Sequence, residues 1–494
     1  MKKRSFYSNL IFSLGLNLLV KPTAIFVIDA AVQNEVGSDY GVYFAFFNLS
    51  LIISIIFDLG INNYSTRLSA QNLDQSKKYF STILGLRLFL MGFYLIGIIG
   101  LKFFSTLSWV EYKLILILGF NQFLIANISF FRSYFAGLQR FRIDAFFSIL
   151  DRLLLIFSMG YILYIHPNGS KLIDIERYAL IQFGCYLLSF LIAILTTLIV
   201  VKPKIERPQL NLILPLLKKA FPYALLIILM TLYTRIDAWF ILNFSHGQSA
   251  AEASYYAQAY RIIDALYMFA MIFAGLLFPM FSKLIKENPG SIQNLVAQSS
   301  KLLLGASFAF VIFCFFRGGL VMDQIYRNTT EESHLLIFLL SLAFVGMATN
   351  LIYGSLLTAN GSLKALNTIS FLGLILNILL NFWLIPRALN HAEIVAASVA
   401  VLTQLFVALA QSIYCKKLFN FPLLHNGLWR YVLLILLTST WYLMFLWIPK
   451  SFIPQTPIII LLFDIVINIL LLFILRFIDF KELSKILQLR SKTQ

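Results

Sequence analysis

The sequence predicts an all-α integral membrane protein of fourteen transmembrane helices, arranged as two six-helix lobes in parallel repeat with two further helices at the C-terminus. Three observations predict it. Charged residues make up only 12% of the 494 and hydrophobic residues 60%, with a mean hydropathy of +0.83, where a soluble domain carries roughly 25% charged residues. Apolar runs of about 20 residues, the length that crosses a bilayer as a helix, recur along the whole chain. The chain also repeats itself at a separation of six spans.

The first span opens on "MKKRSFYSNLIFSLGLNLLV", a basic start and an apolar run that resemble a secretory signal. No small-residue cleavage site follows, and the apolar stretch continues through Lys21-Pro22 to about Val32, which marks an uncleaved span over 10–32. The same reading gives spans at 40–62, 81–103, 113–135, 144–165, 179–201, 221–243, 255–278, 301–321, 334–358, 366–386, 393–415, 428–448 and 456–476. Between the sixth and seventh lies "KPKIERPQLNLILPLLKK", basic, Pro-containing and leucine-rich in its middle, read as an interfacial helix or a plain linker. The expected organisation is therefore an N-terminal lobe over 1–201, a cytoplasmic linker over 202–220, a C-terminal lobe over 221–415, two added spans within 416–476 and a polar cytoplasmic tail over 477–494.

Orientation follows from the basic residues. With the N-terminus in the cytoplasm, 26 of the 39 Lys and Arg fall in inner segments, eight, Arg317 among them, in outer segments, and five within spans. This excess puts both termini in the cytoplasm. It also accounts for the net charge of +17, which in a soluble protein would suggest nucleic acid; here it matches an anionic membrane leaflet and predicts no nucleic-acid partner.

The repeat is faint. "YGVYFAFFNLSLIISIIFDLG" in the second span resembles "ASYYAQAYRIIDALYMFAMIFAG" in the eighth, with Tyr43 opposite Tyr256. "GLRLFLMG" resembles "SSKLLLGA", and "AGLQRFRIDA" resembles "TANGSLKALN", at offsets of 213 to 222 residues. An even number of spans separates the copies, so both have the same orientation, a parallel repeat.

Several function classes are excluded. No G-x-x-x-x-G-K-[ST] occurs, so no P-loop ATPase is fused to the chain. Neither an H-E-x-x-H nor paired cysteines suggest a metal, and Cys185, Cys314 and Cys415 read as small membrane-packed residues. No outer loop exceeds about twenty residues, too few for an extracytoplasmic catalytic domain of typical size. Catalytic residues, cofactors and metals are all expected to be absent.

Charges inside spans carry the functional expectation, because each costs about 2.5–3.5 kcal/mol near the bilayer centre on insertion scales. Lys21 lies mid-span, eleven residues from either end, where its ammonium cannot easily snorkel to water. Pro22 beside it weakens the local backbone ladder. Contact with an anion is one reading, and pairing with Asp29 or Asp58 the other. Arg87 lies about six residues from the inner boundary and can snorkel; Arg152, beside Asp151 in the fifth span, reads as packing. In "LYTRIDAWFI", Arg235 and Asp237 are two apart and point to different helix faces, so each needs a partner on another helix or in water. Arg261 and Asp264 are three apart and can meet. All four sit in the outer half, at depths of about 9–14 Å. A polar interior and an ion-pair network fixing helix packing are both open for them. Tyr233 and Tyr260, with Tyr255 and Tyr256, cluster near these charges and can either stack on sugar rings or belong to an interfacial aromatic belt. Asp58 and Asp237 are the candidates for a coupling ion.

Taken together, "YGVYFAFF…FDLGINNYSTRLS", "YFAGLQRFRIDAF" and "LYTRIDAWFI…SYYAQAYRIIDAL…LFPMFSKL" resemble the polysaccharide-unit flippases of the multidrug/oligosaccharidyl-lipid/polysaccharide exporter superfamily, over nearly the whole chain. The resemblance implies two lobes around a V-shaped central cavity and transport by alternating access. The implied cargo is a polyprenyl-pyrophosphate-linked oligosaccharide, moved to the outer leaflet for O-antigen, capsule or exopolysaccharide assembly. The implied setting is the bacterial inner membrane, with membrane lipid, glycan polymerases and glycosyltransferases as partners. Related peptidoglycan-precursor flippases are held to meet the diphosphate with arginines on the first, second and eighth spans. Lys21 and Arg261 occupy comparable places, whereas the second span offers Asp58. The Arg-Asp match of the seventh span falls on Arg235 and Asp237. The alternatives are a multidrug or cation antiporter of the same superfamily, a peptidoglycan-precursor flippase, and, from another class, a membrane glycosyltransferase or polymerase, which the short loops disfavour.

Overall fold

The computed structural model describes residues 15–55, 61–71, 73–104, 107–166, 173–204, 210–287, 289–420, 428–445 and 456–477. Among these residues the regular elements are helices, with no strand. The chain divides into two compact units, Met1–Leu242 and Asn243–Gln494.

The first unit contains α1 (Gly15–Val36), α2 (Asp39–Ser54), α3 (Ile61–Gln71), α4 (Leu73–Phe104), α5 (Trp109–Gly137), α6 (Phe141–Phe147), α7 (Leu150–Tyr164), α8 (Ile175–Val200) and α9 (Leu210–Arg235), and reaches into α10 (Asp237–Phe244). The second contains α11 (Ser249–Glu287), α12 (Ile292–Ile325), α13 (Glu331–Ala359), α14 (Leu363–Leu384), α15 (Ala392–Phe419), α16 (Leu428–Phe445) and α17 (Pro457–Ile474). Eleven stretches of described helix are long and apolar enough to cross a membrane, and α9 with α10, bent by 47°, makes a twelfth. The protein is thus a multi-pass membrane protein. The fourteen spans read from the sequence also include α2, of 16 residues, and α16, of 18, which are helical at the expected places but fall outside that count.

Local chemistry explains the irregular helices. In α1, Pro22 has no N–H to give the carbonyl four residues back. The Thr23 hydroxyl donates to the Leu19 carbonyl at 2.7 Å, a contact that tends to bend helices. The ladder then widens into a π segment over Ala24–Asp29, which ends with the Ala30 N–H donating to the Ile25 carbonyl. Such π segments are frequent at functional sites. The proposed linker region is helical from Leu210, continuous with the seventh span and carrying Pro215 and Pro222 inside it.

The internal repeat is visible in the packing. Helices α5 and α13 both have 29 residues, begin 222 residues apart, and start at reciprocal caps, Ser108 with Glu111 and Thr330 with Ser333. Each packs against a later long helix of its own unit. Asn121 on α5 donates to the Ala179 carbonyl of α8 at 3.1 Å, and Asn350 on α13 donates to Gln404 Oε1 of α15 at 3.0 Å. The α13–α15 approach is close enough to require glycine: a Cβ at Gly346 would stand 2.7 Å from the Gln404 carbonyl carbon. Between lipid-embedded helices such backbone approach and interhelical hydrogen bonds replace the hydrophobic effect as the associating force. Apolar residues are free to face outward. On α4, Leu88, Phe89, Phe93 and Ile96 are exposed while Ile83, Leu86, Leu90 and Tyr94 are buried.

Candidate functional site

In the first unit the mid-span cation is surrounded by charge. Lys21 on α1 is half-buried, and the charges acting on it are Arg132 of α5, Asp144 of α6, and Asp151 and Arg152 of α7. Both carboxylates are already engaged. Asp144 accepts from Arg132 Nε at 2.8 Å, and Asp151 Oδ2 lies 3.6 Å from Arg152 Nε. Arg152 also donates to the Tyr186 hydroxyl at 3.2 Å. Three cations and two carboxylates leave a net charge of +1, and among the described residues Lys21 makes no ion pair of its own. Asn17, one turn before Lys21, exchanges hydrogen bonds with Ser148 at 2.9 and 3.2 Å, which ties α1 to the junction of α6 and α7. The ammonium is therefore placed by tertiary bonds on either side of a proline-weakened, π-wound helix.

Of the two carboxylates suggested by the sequence as the Lys21 partner, Asp29 is engaged elsewhere. Asp29, 7% exposed, accepts from the Tyr40 hydroxyl at 2.5 Å and the Tyr178 hydroxyl at 2.9 Å. Asp58 lies outside the described residues. The Tyr40–Tyr43–Tyr178 ring cluster around Asp29, with Tyr43 bonded to Gln182 at 2.9–3.0 Å, joins α1, α2 and α8. The sequence did signal this network, as an aspartate in an apolar span followed by "DYGVY".

The paired charges of "LYTRIDAWFI" straddle a break. Arg235 ends α9, Asp237 begins α10, and Ile236 between them is the bend. A helix dipole favours a cation at its C-terminus and an anion at its N-terminus, so each charge stabilises the half-helix that carries it. This is why opposite charges sit two residues apart in an oily segment. The sequence reading of an unbroken seventh span is corrected accordingly. Arg235 is half-buried, Asp237 is 1% exposed, and Tyr233, one turn back, is buried.

In the second unit, Arg261 Nη1 lies 3.8 Å from Asp264 Oδ2, the i, i+3 contact expected from spacing, with both side chains 11% exposed. Tyr260 is buried and its ring stacks on Tyr256 with centroids 5.5 Å apart.

Two further charge sites differ from the sequence reading. Arg87 does not snorkel. It is 2% exposed, donates to Asn62 Oδ1 at 3.0 Å and to the Ala126 carbonyl at 2.8 Å, and lies 4.8 Å over the Phe130 ring. Arg317, counted with an outer connection, lies within α12 and pairs with Asp464 of α17 at 2.8 Å. Asp464 is fully buried and also accepts from Trp441 Nε1 of α16 at 2.9 Å. One aspartate inside the very apolar "PIIILLFDIVINILLLFI" was the available signal for this partner.

Comparison with known proteins places these features. The model of a family described as "Polysaccharide biosynthesis protein" matches residues 8–285. No curated protein sequence matches the chain. Among solved structures, a lipid II flippase MurJ in an inward closed conformation is similar with a TM-score of 0.66 at 14% identity, covering 98% of this chain and 100% of that one. An inward-facing multidrug resistance MATE family transporter of the MOP superfamily gives 0.62 at 13% identity, covering 81% and 94%. A MOP superfamily transporter from Pyrococcus furiosus gives 0.56 at 13% identity, covering 83% and 94%. At these identities the likeness shows the fold, which is that of these transporters.

Proposed function

Since the chain belongs to the polysaccharide biosynthesis protein family, whose model spans more than half of it, we propose that it is a flippase for polyprenyl-pyrophosphate-linked oligosaccharide repeat units. It carries them from the inner to the outer leaflet of the bacterial inner membrane by alternating access, for assembly of O-antigen, capsule or exopolysaccharide. Both termini face the cytoplasm. The moving parts are the lobes 1–201 and 221–415, with the helices of 416–476 added to the second.

The observation that carries this reading is the Lys21 cluster, whose two carboxylates are each taken up by an arginine. The pyrophosphate and sugars are too polar to cross hydrocarbon, while the polyprenyl chain need never leave it. A barrier confined to the headgroup calls for a cation within the membrane, and among the described residues no carboxylate pairs with the ammonium of Lys21. A helix weakened at Pro22 and π-wound beyond it lets the ammonium follow the headgroup. Arg235 and Arg261 act as further contacts for the anion. Asp264 steadies Arg261, and Asp237, at the head of its own half-helix, is the candidate for ion coupling together with Asp58. The chemistry is transport, with no bond made or broken.

Deletion of the gene tests the reading. The expected result is accumulation of a lipid-linked repeat unit on the cytoplasmic side, together with loss of one surface polysaccharide and unchanged drug susceptibility. Increased drug sensitivity with normal polysaccharide points instead to a multidrug or cation antiporter, and replacement of the essential peptidoglycan-precursor flippase points to that cargo.

A further inference from the structure

At the N-terminal ends of α11 and α15, two carboxylates are buried with no ion pair to a basic residue among the described residues. Glu252 is 4% exposed and Glu393 1% exposed, and their charges act on one another, with Glu332 of α13 adding to the negative field at Glu393. Each stands in the first turn of its helix, where the helix dipole favours an anion. The dipoles explain why each helix has its own carboxylate. They do not explain burying two that repel. His391 acts on Glu252 and Glu332 but is itself exposed.

The bonding leaves capacity unused. Glu252 Oε2 accepts from the Ser245 hydroxyl at 2.5 Å, and Ser245 Oγ accepts from the Gly247 N–H at 3.1 Å. Glu252 Oε1 and Glu393 Oε2 are buried with no hydrogen-bond partner among the described residues. Glu252 Oε1 is not isolated from other oxygens. A Cβ placed on Gly247 would stand 2.5 Å from it, 2.9 Å from Asn390 Oδ1 and 3.0 Å from the Leu389 carbonyl oxygen. Three oxygens thus converge on the space that only a glycine leaves open. Leu389 holds its place there at φ +53°, an uncommon conformation for a residue with a side chain.

We infer that Glu252, Glu393, Asn390 Oδ1 and the Leu389 carbonyl form a binding site for a small hard cation, which joins the N-terminal ends of α11 and α15 through the loop at Gly247. The ligand class follows from the donors. They are carboxylate, amide and carbonyl oxygens, the set preferred by hard cations. Among the described residues no trio of His, Cys, Asp or Glu is arranged to hold a metal ion, which leaves a cation that accepts neutral oxygens beside carboxylate. The inference stands whether or not the flippase reading does.

The test is thermal unfolding of the purified full-length protein in choline chloride, with NaCl or CaCl2 substituted at constant ionic strength. A saturable rise in Tm of about 3–6 °C at ten times the dissociation constant is expected for a unit of this size. E252Q and E393Q should abolish the rise, while in choline they melt at or above the wild-type temperature because the repulsion is gone; that second readout distinguishes a lost site from a misfolded protein. G247A, which fills the space without changing charge, should also abolish it, and E287Q on the exposed end of α11 should not. Equal melting in choline, sodium and calcium would overturn the inference. So would a cation response that survives E252Q and E393Q, or stability that follows pH alone, which would mean that the two carboxylates share a proton.

Discussion

Replacing Asp464 with leucine removes the only carboxylate in α17, the one that pairs with Arg317 of α12. The two are 2.8 Å apart, the aspartate side chain is 0% exposed and the arginine 16%. At an effective dielectric of about 20, a pair at that separation attracts by about 6 kcal/mol. Desolvation offsets much of this when both charges are compared with apolar side chains, but removing one partner alone costs about 3–5 kcal/mol. The same change strips Trp441 Nε1 of its acceptor. For a unit of this size that corresponds to a fall in Tm of about 6–20 °C. The double variant R317L/D464L removes the charge with its counterion, so it should recover most of the loss. What remains is the loss of the Trp441 bond to Asp464 and of the contact of the Arg317 guanidinium with the Tyr442 ring at 5.7 Å, worth about 1 kcal/mol. Tryptophan fluorescence reports on the melt, since Trp441 is part of the cluster. If the double variant melts as low as the sum of the two single losses, the pair is not coupled, and α16 and α17 are held to α12 by something else, such as the Phe477 ring against Gly305.

Two other substitutions probe packing. Gly346→Ala would push a methyl to 2.7 Å from backbone of α15 that cannot rotate away, at about 1–3 kcal/mol; an unchanged melt would show that α13 and α15 are farther apart than described. Arg87→Lys keeps the charge but not the fork that reaches both Asn62 and the Ala126 carbonyl, so it should destabilise nearly as much as Arg87→Met, by about 2–4 kcal/mol. Full retention of stability by the lysine variant would mean that Arg87 reaches water.

The helices were legible because an apolar run of membrane length is at home in a bilayer and in few other surroundings. The side facing the protein was not. In a soluble helix the polar face marks the outside, but α4 is apolar all round, with Phe89 toward lipid and Leu86 toward the core. Arg87 was therefore placed by its distance from the helix end alone. The bend at Ile236 escaped for a related reason. No proline or glycine marks it, and the only trace is a cation and an anion in the order two helix dipoles prefer. The companions of Lys21 come from α5, α6 and α7, more than 100 residues away, and no local pattern specifies which carboxylate meets which cation. Spacing succeeded where the contact is local, as with Arg261 and Asp264.

The most direct test of the central claim is headgroup translocation by protein reconstituted in liposomes with a polyprenyl-pyrophosphate saccharide. Lys21→Met should slow transfer by at least about tenfold, the equivalent of about 1.4 kcal/mol of lost anion stabilisation, with melting and insertion unchanged, and Lys21→Arg should restore most of the rate. Transfer at the wild-type rate by a well-folded Lys21→Met protein would contradict the account.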